Sequence, residues 1–152
     1  MSVVGGGINF MECLYIMLET GCSIKRLSLA SNHFTVIFSI TGYTFTVSSH
    51  GNDDEEAVVS VIDKIREQLK SLNVISQNDW HTHIAQFYSS ATHNKNIAIM
   101  KFILNATVSG WRVRKSFTRY GEYHFNRNHN GKHKYLSDKF LSRFLENNTL
   151  KI

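Results

Sequence analysis

Between His33 and Val47 apolar and polar residues alternate. Phe34, Val36, Phe38 and Ile40 fall on one face of an extended segment, and Tyr43, Phe45 and Val47 on one face of the next. That period of two predicts a pair of half-buried strands, and Thr41-Gly42 between them predicts a tight hairpin turn. Ile24 to Ala30 alternates as well, which predicts a third strand ahead of the pair. On either side the spacing changes to three and four. Phe10, Leu14, Met17 and Leu18 predict a helix over 9–19. Asn9 and Glu12 have the spacing of a capping box, Ile8 and Cys13 that of a hydrophobic staple, and Gly21 is placed to end the helix. Ala57, Val58, Val61, Ile62, Ile65, Leu69 and Leu72 predict a second helix from Asn52-Asp53. Its first turn carries Asp53, Asp54, Glu55 and Glu56, where the helix dipole favours anions.

The rest of the chain predicts the same order again. Trp80, Ile84, Phe87 and Tyr88 suit a helix over 78–90, on which His81 and His83 diverge. A strand is expected within 94–108, a second over 111–118 and a third over 122–126. Leu136, Phe140, Leu141, Phe144 and Leu145 form the apolar face of a last helix. Matches at an offset of 80 pair Tyr43 and Phe45 with Tyr123 and Phe125, Gly51 with Gly131, and Val61 and Ile65 with Leu141 and Leu145. The expected fold is α+β, one or two antiparallel sheets with helices packed on one side. It forms a single compact domain over 1–152, divisible into a tandem pseudo-repeat of helix–three strands–helix with halves 8–74 and 77–150.

Composition supports a sizeable core: 152 residues, 42% hydrophobic, with ten Phe, six Tyr and two Trp. Turns must do without proline, which is absent. The apolar stretch 8–18 contains Asn9 and Glu12, has no basic residue before it, and is shorter than the about 20 residues that span a bilayer. Cys13 and Cys22 are too few for a disulfide framework and read as reduced thiols. These features predict a soluble, cytoplasmic protein with no membrane partner.

Charge changes the picture. Residues 1–94 carry five Lys/Arg against nine Asp/Glu, and residues 95–152 carry twelve against three, so a chain of net charge +5 is strongly polarised. A basic half of that density attracts polyanions through counterion release. In the run from Trp111 to Phe125, strand alternation turns Trp111, Val113 and Phe117 to the core, and Arg112, Arg114, Ser116 and Thr118 to the other face. Cations and hydroxyls suit a phosphate backbone. Lys115 adds charge to this strand. Arg119 and Tyr120 sit at the next turn, where Tyr120 is placed to stack on a base, whereas Trp111 and Tyr123 belong to the core. Arg127, Lys132 and Lys134 lead to the last helix, and Lys139 and Arg143 share its polar face.

This order, with basic residues at the last helix, resembles the layout of the double-stranded RNA-binding domain, a module that reads duplex shape and phosphates. The resemblance rests on element order and on Lys132, Lys134, Lys139 and Arg143. The adjacent lysines and alanines usual in that family's last helix are absent, and Asp53 to Glu56 make the first half's equivalent acidic.

The expected function is therefore a small non-enzymatic protein that binds nucleic acid, DNA or RNA, mostly through phosphates, of a size suited to a regulatory or viral accessory factor. Three alternatives remain open. An acidic protein partner would suit the same surface, and pairing of acidic and basic halves would give a homo-oligomer. A pocket for a small phosphorylated ligand is the second. The third is a metal-dependent nuclease using His124, His129 or His133, since Asn128-His129-Asn130 resembles the hairpin–loop–helix region of small metal nucleases. No cofactor is expected, because Gly5-Gly6-Gly7 lacks the preceding strand and following lysine of a phosphate loop.

Overall fold

In the first half of the chain the alternating segments form strands and the period-of-four segments form helices. The computed structural model describes residues 7–89, 91, 93–116, 122–127 and 132–137. Helix α1 (Gly7–Glu19) leads into β1 (Ser23–Ala30), β2 (His33–Ile40) and β3 (Tyr43–His50). Three helices follow, α2 (Asp54–Ser71), α3 (Gln77–Phe87) and α4 (His93–Val108). A second run of strands, β4 (Arg112–Lys115), β5 (Glu122–Arg127) and β6 (Lys132–Ser137), completes the described chain. All six strands join one antiparallel sheet in the order β3-β2-β1-β4-β5-β6. The fold is α+β.

The hairpins of the first meander turn on paired residues of positive φ, Ser31 (51°) with Asn32 (64°) and Thr41 (51°) with Gly42 (84°). Such turns match the right-handed twist of the strands they join. Alternation then decides the faces. Phe34, Val36, Phe38 and Ile40 are buried, while His33, Thr35, Ile37 and Ser39 between them are half-buried. The buried side is the helix side: α2 lies on β2 and β3, and α4 on β1 and β4. Helix α1 is enclosed by β1, β4 and the other three helices. Phe10, Cys13, Leu14, Ile16 and Met17 accordingly have no exposed surface.

Helix starts are fixed by side-chain caps. Asp53 accepts from the Glu56 N–H at 2.8 Å, and Ser76 and Asp79 form a reciprocal capping box at the start of α3. Asn9 does not cap α1, because the helix already runs from Gly7; Glu12 instead accepts from the Tyr88 hydroxyl of the chain just after α3.

Three expectations are corrected. The strand expected within 94–108 is helix α4. Its isoleucines favour a strand locally, but Ile99, Phe102, Ile103, Ala106 and Thr107 are buried at helical spacing, and packing outweighs β propensity. Secondly, the expected start of the last helix, with Lys132 and Lys134, is strand β6. Thr44, Phe45 and Thr46 of β3 are the residues that correspond to His133, Lys134 and Tyr135 in sheet order. Residues 138–152, which carry the remainder of that expected helix, lie outside the described residues.

The third concerns the offset. After α1, the N–H groups of Thr20, Gly21 and Cys22 donate to the carbonyls of Ile16, Leu18 and Met17. After α4, Ser109, Gly110 and Trp111 donate to Asn105, Thr107 and Ala106. These two caps coincide at an offset of 89, which places Gly21 (φ 98°) on Gly110 (φ 101°). The same offset carries β2 onto β5 and β3 onto β6. An offset of 80 instead sets β3 on β5, whose counterpart in the sheet order is β2. Ile24 and Val113, themselves 89 apart, are register partners across β1 and β4. A pseudo-dyad therefore passes through this pair, at the seam between the two meanders.

Candidate nucleic-acid interface

The site is built on that seam. Trp111 and Val113 are drawn under the helices, at 3% and 1% exposure, so alternation turns Arg112 and Arg114 to the face of the sheet opposite the described helices. β1 lies alongside with a register shift. Ile24 pairs with Phe38 but Arg26 with Ile37, which leaves Lys25 as an extra residue. A bulge of this kind bends the strand and re-aims its side chains. Here it brings Lys25 and Arg26 beside Arg112.

Two depressions result. One, of about 160 Å³, is lined by Ser23, Lys25, Arg112, Arg114, His124 and Asn126 around Val113. Apart from Val113, each described lining side chain carries a hydrogen-bond donor in at least one protonation state or tautomer, and no carboxylate among the described residues lines the depression. The other, of about 460 Å³, shares Lys25 and Arg112 and adds Arg26, Ile37, Val108, Ser109 and Gly110. An array of guanidinium forks, an ammonium, a hydroxyl and an amide suits an oxyanion, above all one able to accept paired N–H bonds from arginine.

Of the residues expected at the site, the seam brings together Arg112, Arg114 and His124. Lys115 is drawn to the helix side by an ion pair with Glu19 of α1. Arg127 lies over the Trp111 ring at 5.1 Å and donates to the Ser109 carbonyl at 3.0 Å. Lys132 and His133 are register partners of Arg127 and Asn126, and Lys134 of Phe125. Arg119, Tyr120, His129, Lys139 and Arg143 lie outside the described residues. Trp111 and Tyr123, each 3% exposed, are core residues, as the strand pattern predicts. Among the described residues no three His, Cys, Asp or Glu side chains are grouped to hold a metal ion.

Lys25 and Arg26 are not predicted by the charge pattern, because they sit in the acidic half. A signal was present: two adjacent cations between Ile24 and Leu27 break the alternation of β1, as a bulge does. Folding thus redistributes charge by face. Asp63 and Glu67 of α2 line a different depression, with Trp80 and Arg66.

The two thiols take no part. Cys13 and Cys22 have no exposed surface. Burial raises both above the ordinary thiol value of 9.0, Cys22 to about 12, because apolar surroundings disfavour the thiolate. The folded protein therefore retains protons that the unfolded chain releases. Their contribution to stability is intact below pH 9 and is lost progressively as pH rises from there towards 12. Urea unfolding from pH 8 to 11 is expected to show this decline, with a shallower slope in a Cys13→Ala/Cys22→Ala variant. Thiol reagents are expected to react only on unfolding; prompt labelling of the native protein would contradict the burial.

No protein-family model, curated protein or solved structure matches the chain.

Proposed function

We propose that the protein binds nucleic acid through phosphate contacts on the face of its sheet opposite the described helices, centred on Arg112 and Arg114 at the β1–β4 seam. The observation that carries this reading is the donor-lined depression shared by β1, β4 and β5, which no carboxylate among the described residues lines. Phosphate contacts position a protein on nucleic acid without reading its sequence, so the expected binding is weakly sequence-selective. The role is that of an accessory or regulatory factor in the cytoplasm, with no chemical step. Among the described residues no helix is long and apolar enough to cross a membrane.

The test is fluorescence anisotropy with labelled duplex RNA, duplex DNA and single strands at two salt concentrations. Binding is expected to weaken with salt, with a logarithmic slope of about −0.9 per phosphate contact on a duplex and about −0.7 on a single strand. The absence of binding to every probe at low salt would refute the reading and leave an acidic protein as the partner to seek.

A further inference from the structure

We infer that the interface holds two phosphates, the second in the depression made by the β1 bulge, and that its ligand is a nucleic-acid strand spanning both positions. This rests on the proposed function.

The pseudo-dyad isolates what the bulge does. At the offset of 89, Lys25 and Arg26 correspond to Arg114 and Lys115. In the unbulged strand β4 the second of these points to the helix side, where Lys115 pairs with Glu19. In β1 the extra residue reverses the parity, and Arg26 faces out as the register partner of Ile37. A one-residue shift moves a side chain to the other face of a sheet. The bulge disrupts the ladder locally and in return adds Arg26 to the cations of the open face.

The second depression then holds three cations, Lys25, Arg26 and Arg112, and no carboxylate among the described residues lines it. It adjoins the first across the shared Lys25 and Arg112. Strands lie about 5 Å apart, so anions in the two depressions are separated on the order of one or two strand spacings. Ile37 and Val108 give the second depression an apolar wall, and Val108 is 43% exposed. Such a wall suits the sugar that links one phosphate to the next. Inorganic diphosphate has no group to place there.

The test is a calorimetric and anisotropy comparison of wild type with Arg26→Gln, an exposed position at which folding is checked by thermal melting. The probes are a dinucleoside monophosphate, the same dinucleotide with a 5′-phosphate, inorganic diphosphate and a long oligonucleotide. For wild type, the second phosphate is expected to raise affinity at least about tenfold. Arg26→Gln is expected to lose that step while keeping its affinity for the one-phosphate probe. On the long oligonucleotide its salt slope is expected to fall by about one contact, 0.7 to 0.9. An unchanged slope in Arg26→Gln, with binding still lost on changing Arg112 and Arg114, overturns the second subsite and leaves the proposed function standing. Inorganic diphosphate binding as well as the phosphorylated dinucleotide overturns the strand assignment. Wild type that binds no oligonucleotide overturns both.

Discussion

Replacing Arg112 and Arg114 together by glutamate is expected to weaken nucleic-acid binding at least about a hundredfold and to leave the melting temperature within a few degrees. A hydrogen bond to a charged group contributes about 1.5–3 kcal/mol, so losing two such contacts costs about 3–6 kcal/mol, and each 1.4 kcal/mol is tenfold in affinity. Reversal adds repulsion to that loss, since two carboxylates would then line the depression beside Ser23 and Asn126. Stability is spared because both arginines lie on the face opposite the described helices, outside the packed core, where substitutions usually stay within about 0.5 kcal/mol. Anisotropy and a thermal melt on the same sample check both parts. Undiminished affinity in a folded variant would remove the seam from the binding surface.

Phe10→Ala is expected to destabilise the fold by about 3–5 kcal/mol. Phe10 has no exposed surface, and its ring lies 4.9 Å from that of Phe34 of β2. Total stability of about 5–15 kcal/mol is usual, so this one truncation removes a large part of it. For a chain of this length it lowers the melting temperature by about 10 °C. Ile37→Ala, on the other face of β2, is the control and is expected to shift the midpoint by a degree or two. Equal losses in the two variants would mean that both faces of the sheet are packed.

The first meander and α2 were legible in the sequence because local and tertiary preferences agree there. Phe34 to Ile40 alternates where one face is buried, and Asp53 stands where a helix needs a cap. The region of α4 was not legible. Ile97, Ile99 and Ile103 favour an extended chain, and only burial against the sheet and α1 settles them as helix. The sequence of β6 predicts the approach to a helix because Leu136 begins an apolar spacing that continues through Phe140 and Leu141. The cations of β4 follow from the basic half of the chain and strand alternation together. Their neighbours Lys25 and Arg26 do not, because a division by sequence into acidic and basic halves assigns them to the wrong side, and the relation between the halves is created by pairing β1 with β4. Lys115 and Arg127 counted equally with Arg112 in a sum of charge. Sequence distance does not reveal that Glu19 and the Trp111 ring already engage them.

The ladder between β1 and β4 is narrow, with Ile24 and Val113 as its register pair, whereas β2 and β3 are matched along eight residues. An anion held by Lys25 on one strand and Arg114 on the other, as proposed, would suture the sheet where its own backbone joins it least. Ligand stabilisation grows as RT ln(1 + [L]/Kd), and at this position it is felt as cohesion between the two meanders. Occupancy is expected to join the two panels into one mechanical plate, so that hydrogen exchange of the amides flanking the seam slows in step with saturation while that of the β2–β3 hairpin changes little.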